Sequence, residues 1–306
     1  MKKILLVADQ PGWIFDRHCH EIQKRLSNEF EIAIAYHRQN IPELSKQYDV
    51  VYVMDPMPMA YPPPEKTIMG LRCEFLFREH PNGAQGLYSE GFPGRCVSMQ
   101  DKCSILHMVN QFQMDTFKDI VTDRPLLLVP HGVDETIFDK NKHGRIDNST
   151  LRVSVSGRGS QNKGFGYVNE ACQKLGINIM AAQYGRNKLT KEQMPDFYKG
   201  VDIHVCMSKD EGLNNPMLEA GAMGIPVIST RSGAAEQIIQ NDVNGLLIDR
   251  TVDDLVQALT KLKDNHDILI SMGNNMYNEI MTNWTWKVKI DGFRKMFNLY
   301  FGDIEK

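Results

Sequence analysis

Two glutamates, Glu211 and Glu219, share one segment with seven residues between them, and Asn214, Asn215 and Pro216 lie in the gap. Asn215 is a good helix N-cap, and Pro216 fits the first helical position, where a missing N–H loses no partner. The spacing predicts a helix beginning near Pro216, with Glu219 about one turn inside it and Glu211 in the preceding loop. Both carboxylates then lie beside backbone N–H groups and the positive end of the helix dipole, a setting that attracts phosphate. Carboxylates next to a phosphate site suit a ligand carrying hydroxyls and phosphates together, such as a nucleotide sugar. An ordinary capped helix with acidic residues near its start is the competing explanation. For an isolated segment it is the better one.

A second candidate is the turn Gly157-Arg158-Gly159-Ser160-Gln161-Asn162-Lys163-Gly164, which follows an apolar run at 151–156. A dinucleotide fingerprint would need glycine where Asn162 stands. A Walker loop would need Gly-Lys-Ser/Thr, whereas the order is Lys163-Gly164-Phe165. Neither motif fits. The turn could be a plain basic surface loop. Its cations would also suit a sugar–phosphate bond that breaks, because fixed positive charge stabilises a departing diphosphate where water is excluded.

The longer string is more specific than its parts. Glu211 and Glu219, followed by Gly224-Ile225-Pro226-Val227 and by Gly233 to Glu236, resemble the glutamate-x7-glutamate signature of retaining glycosyltransferases with the GT-B fold, in particular family 4. The resemblance implies that Glu211 contacts the hydroxyls of a donor sugar and Glu219 the ribose. Family members carry a Gly-Arg…Lys-Gly element after the first strand of the second domain, which matches Gly157, Arg158, Lys163 and Gly164. Arg158 and Lys163 would hold the donor diphosphate, with Gly212, Leu213, Asn214 and Asn215 completing its surroundings. Gly12, in the first strand–helix turn, is where GT-B enzymes bring backbone close to the diphosphate, although a turn glycine needs no such role.

The same resemblance implies retention of anomeric configuration, a UDP-sugar or other nucleoside-diphosphate sugar as donor, and a hydroxyl on the acceptor. It implies no metal, and the Asp-x-Asp motif of the metal-using GT-A enzymes is absent from the chain. No cofactor beyond the donor is expected. Pro130-His131-Gly132-Val133-Asp134 with Phe138 resembles the element at the junction of the two GT-B domains, with His131 in place of asparagine; it is expected to serve as hinge and packing. Contacts to the base are expected from residues 183–188, and the irregular stretch 80–94 is expected at the acceptor entrance. Many relatives place a histidine near the transferred sugar after the fourth strand of the first domain. Arg72 stands at about that place here, so this sugar-facing role is unassigned.

The surrounding elements could carry such a site. Near-continuous apolar runs at 3–8, 31–36, 49–54, 67–72, 104–109 and 126–129 alternate with helical stretches such as 13–28. A second series follows at 151–156, 177–181, 203–207, 226–229 and 245–248. Such runs mark parallel strands covered on both faces. The expected fold is α/β: GT-B, two doubly wound Rossmann-like parallel-sheet domains facing across a cleft. The first, at 1–130, would serve the acceptor and the second, at 131–285, the nucleotide sugar. The final helix, from about 286, would pack back on the first. Its Trp286, Ile290, Phe293, Phe297 and Tyr300 recur at helical spacing, the mark of a core-facing stripe.

With 306 residues the chain can hold two domains, and a net charge of -3 argues against a partner bound through nucleic-acid phosphates. The six cysteines form no C-x-x-C pair, so no structural zinc is expected. The apolar run at 4–8 is too short for a signal peptide or a spanning helix, and a cytoplasmic location is expected. Three other functions fit the same residues: a nucleotide-sugar epimerase, a non-catalytic nucleotide-sugar sensor, and a transferase acting on a modified DNA base.

Overall fold

The computed structural model describes residues 1–72, 99–119, 121, 123–144, 150–156, 161–182 and 189–302. The chain divides into two compact units, Met1–His131 with Lys289–Lys306, and Gly132–Val288.

In the first unit β1 (Lys2–Ala8), β2 (Phe30–Tyr36), β3 (Val50–Val53), β4 (Thr67–Leu71), β5 (Ile105–Met108) and β6 (Leu126–Leu128) form one parallel sheet in the order β2-β1-β3-β4-β5-β6. Inner strands are buried on both faces, which is why their sequences run apolar without alternation: Ile4 to Ala8 are all at most 2% exposed. Helices α1 (Ile14–Leu26), α2 (Ile41–Ser45) and α3 (Gln111–Phe117) connect them. On α1, Cys19, Ile22 and Leu26 are buried at helical spacing, and Lys24 and Arg25 sit in the last turn, where cations complement the dipole.

The second unit holds β7 (Arg152–Ser156), α4 (Phe165–Leu175), β8 (Asn178–Ala182), α5 (Met194–Tyr198), β9 (Ile203–Cys206), α6 (Asn215–Ala222), β10 (Val227–Thr230), α7 (Ala235–Ile238), β11 (Gly245–Ile248), α8 (Val252–Lys263) and α9 (His266–Asn283). Its five strands are parallel in the order β11-β10-β9-β7-β8. Val153, Val155, Val168, Ile203, Val205, Leu255 and Leu259 pack the core between the sheet and the helices.

The final helix, α10 (Trp286–Phe301), joins the first unit from Lys289 onward. Phe293 and Phe297 are fully buried there, with ring centroids 6.3 and 5.9 Å from that of Tyr52. Arg294 adds an ion pair to Glu29 at 2.8 Å. The apolar stripe is core packing.

Strand boundaries differ from those expected by about a residue, as chain ends fray. The start of α6 differs more usefully. The N-cap is Asn214, whose Oδ1 accepts from Met217 N at 3.1 Å, while Asn215 is the first helical residue and Pro216 the second. Both asparagines can cap; the closed bond to the third residue onward decides for the earlier one.

Candidate functional site

β7 and β9 are hydrogen-bonded neighbours, yet the connection leaving β7 runs to β8 on one side and β9 leads to β10 on the other. In this strand order the first and third strands of the unit border the topological switch point, where open α/β sheets bind ligands beyond the strands' carboxyl ends. Lys163 follows β7 and Glu211 follows β9. The topology therefore places both beyond the right strand ends.

Backbone contacts then bring the two loops together. Lys209 N donates to Asn162 O at 2.8 Å, and Arg250 Nε donates to Met207 O at 2.8 Å with its Nη2 3.3 Å from Asn162 O. Gly164 has φ +68°, and a Cβ there would run into the carbonyl of Met207. Gly233, at φ +58°, lies equally close to the carbonyl of Gly212, and Ala234 N donates to that carbonyl at 3.0 Å. Glycine is required at both positions by backbone angle and by space.

The result is a converging set of donors on one carboxylate oxygen. Glu211 Oε1 accepts from Lys163 Nζ, from Ser208 Oγ at 2.6 Å and from Asn214 Nδ2 at 3.1 Å. Bonds between a charged acceptor and a cation are the stronger kind. Asn214 Nδ2 also lies 2.9 Å from Cys206 Sγ. Burial, and then the Glu211 charge, push the Cys206 thiol above its ordinary value, so it stays protonated. Thr230 Oγ1 donates to Ser208 O at 2.5 Å and anchors the loop from β10.

Glu219 is held from a different element. It is half-buried on α6, and the Tyr198 hydroxyl donates to its Oε2 at 3.1 Å. The helix start offers fewer open amides than its position suggested. Pro216 has no N–H, Met217 N is taken by the Asn214 side chain, and Leu218 N donates to Asn214 O. Gly212 and Leu213 lie buried between Glu211 and this cap. Ser208 and Tyr198 escaped the sequence reading. Ser208 stands only three residues before Glu211, a spacing common by chance, and Tyr198 carries no local signal at all.

Gly157, Arg158, the expected base-contacting residues 183–188 and the expected acceptor stretch 80–94 lie outside the described residues. Among the described residues no cluster of three or more His, Cys, Asp or Glu side chains could hold a metal ion, and no helix is long and apolar enough to cross a membrane. Cys19, Cys103, Cys172 and Cys206 are buried and free.

In the first unit Gly12, at φ +77°, donates its N–H to Asp16 Oδ2 at 2.8 Å, which puts a carboxylate where a diphosphate was expected. Arg72 is buried. Its guanidinium donates to Met54 O at 3.0 Å, to Tyr52 Oη at 2.7 Å and to Nδ1 of His18 and His131 at 3.1 and 3.4 Å. Arginine only donates, so both imidazoles accept at Nδ1. The chain of donors continues from Tyr52 Oη to His107 Nε2 at 2.6 Å. Burial, followed by the Arg72 charge, holds His107 down to about 3, so it is a neutral core histidine.

Residues 140–265 match the family model for Glycosyl transferases group 1. This segment contains Lys163, Ser208, Glu211, Asn214 and Glu219. A GDP-mannose-dependent alpha-(1-6)-phosphatidylinositol monomannoside mannosyltransferase of Mycobacterium tuberculosis is 36% identical over 94 residues, 30% of this chain. The chain spans under half the length of the curated relatives it matches, 23% for this one. Among solved structures, sucrose-phosphate synthase from Thermosynechococcus elongatus superposes with a TM-score of 0.77 at 10% identity, covering 99% of this chain and 100% of the other. Anabaena HepE in complex with UDP-glucose gives 0.74 at 12% identity, covering 97% and 100%. Likeness over nearly whole chains, with two parallel-sheet α/β units, identifies the fold as GT-B.

Proposed function

We propose that this protein is a retaining, metal-independent glycosyltransferase that moves a sugar from a nucleoside-diphosphate donor, a UDP-sugar in our reading, to an acceptor hydroxyl. One observation carries it: Lys163 and Glu211, from neighbouring strand ends, meet on a carboxylate already held by Ser208 and Asn214, inside the segment that matches group 1 glycosyl transferases. The UDP-glucose complex of a protein with the same fold supports the choice of donor.

The chemistry follows from the charges. The bond between the sugar's anomeric carbon and the diphosphate oxygen breaks, and its electron pair leaves with the phosphate. Lys163, joined by Arg158 on the strength of the family resemblance, stabilises that charge. A diphosphate at Lys163 takes over the positive charge that faces Glu211. Glu211 stays oriented by Ser208 and Asn214 and accepts a sugar hydroxyl. The acceptor oxygen bonds to the anomeric carbon, and its proton passes to the departing phosphate oxygen. Attack on the face that the phosphate leaves retains the configuration. Glu219 receives the ribose. Gly212, Leu213 and Asn215 border the donor, while Gly12, with its N–H given to Asp16, has the weakest claim to a role.

The test is turnover of labelled donor with a working acceptor, in the presence of a chelator. Product with the donor's anomeric configuration and undiminished rate is expected. Lys163→Ala is expected to lower turnover by ~10²–10³ with the fold intact. An inverted product, chelator-sensitive turnover, or full activity in Lys163→Ala would each remove the corresponding part of the reading.

A further inference from the structure

Tyr198 ends α5 and is 1% exposed. Its ring is wedged among Phe138, Phe197 and His204, with centroids 6.3, 5.3 and 6.4 Å away. His204 is itself fixed by Ser154 Oγ, 2.8 Å from its Nδ1. Packing from separate segments thus sets the direction of the phenol. Its oxygen lies 3.1 Å from Glu219 Oε2 and 3.4 Å from Pro216 O. A phenol has one proton to give, and the nearer, charged oxygen is the better acceptor. Burial, and then the Glu219 charge, raise the phenol well above its ordinary value, so the donor persists at every working pH. Phenylalanine would fill the same space without a buried hydroxyl to satisfy. The hydroxyl is explained by Glu219.

We propose that Tyr198 is a positioning residue for ribose recognition: by pinning one oxygen of Glu219 it aims the other at the sugar hydroxyls of a nucleotide, so that the site selects ribonucleoside over dideoxyribonucleoside diphosphates. This rests on the proposed function, in which Glu219 receives the ribose. A carboxylate fixed beforehand loses less freedom when the ligand arrives and so binds more tightly. A ligand lacking the hydroxyls forgoes a hydrogen bond to a charged acceptor, the stronger kind, which makes such a site discriminating.

The experiment is calorimetric binding of UDP, GDP and their 2′,3′-dideoxy analogues to the wild type, Tyr198→Phe and Glu219→Gln. The wild type is expected to prefer the better ribonucleotide over its dideoxy analogue by on the order of tenfold or more. In Tyr198→Phe that ratio is expected to collapse toward one through weaker ribonucleotide binding, with a wild-type melting temperature. Glu219→Gln should collapse it too, which keeps the test open if the phenylalanine variant folds poorly. An undiminished ratio in Tyr198→Phe beside a collapsed one in Glu219→Gln overturns the assignment and leaves the ribose role of Glu219 in place, whereas an undiminished ratio in Glu219→Gln removes that role as well. A wild type that binds neither ribonucleotide overturns the assignment and the transferase reading together.

Discussion

Asn214 shows why one residue type can be required at a site for two unrelated reasons. Its Oδ1 closes the N-terminus of α6, and its Nδ2 donates to Glu211 and Cys206. Serine or aspartate could cap the helix equally well, but aspartate cannot donate. Asn214→Asp is therefore expected to keep the cap and to lower turnover by on the order of tenfold or more, because Glu211 loses a donor and gains a like charge. Wild-type turnover in that variant would show that Glu211 does not depend on it. Lys163 and Glu211 were legible in the sequence, since each lies in a recognisable string. Ser208 and Tyr198 were not. Their importance comes from which atom they touch, and the Tyr198–Glu219 contact joins two helices that share no pattern.

The strands were readable because a parallel sheet buried on both faces demands unbroken apolar runs, as at Ile4 to Ala8. The loops at their ends were not, because their geometry depends on what each backbone meets. Gly164 and Gly12 illustrate the difference. Both have positive φ, but a Cβ at Gly12 would meet nothing within 4 Å, whereas one at Gly164 would strike the Met207 carbonyl. Gly12→Ala is expected to cost ~1 kcal/mol, from backbone strain alone. Gly164→Ala should cost more, ~2–4 kcal/mol, and displace Lys163 as well. Urea unfolding of the two variants decides the matter: equal midpoints would mean that the two loops are less closely apposed than described. The placement of the α6 cap one residue earlier than expected has a similar origin, since adjacent asparagines are chemically equivalent until one of them closes its bond.

Each unit contains a histidine kept neutral by burial, and each contributes to how stability depends on acid. His107 in the first unit is held down to about 3 and His204 in the second to about 4. The unfolded chain binds protons near the ordinary histidine value of 6.5, so between that pH and the folded values it holds more protons than the native state. Stability is complete above pH 6.5 and falls as pH drops toward 4, with a slope of up to ~1.4 kcal/mol per pH unit for each histidine. Denaturant titrations at pH 7, 6 and 5 measure it, and a flat profile would mean that neither imidazole is buried neutral. Arg72 belongs to the same buried network in the first unit, through Tyr52. It stands after the fourth strand, where the sugar-facing role is unassigned, and its guanidinium donates to internal partners.

Local chemistry along the chain was enough for the class of fold, the approximate elements, and for singling out Lys163 and Glu211, which the second unit brings together. Apolar runs, caps and motif strings act over a few residues and survive being read in one dimension. Strand order was a different matter: only the folded sheet sets β7 beside β9, and that adjacency puts a lysine and a glutamate from remote segments on a shared hydrogen-bonded centre. The tautomers, the donors to each carboxylate and the burial that holds histidines neutral arise from the same cause. They are properties of atoms brought together by packing, and no spacing in the chain records them.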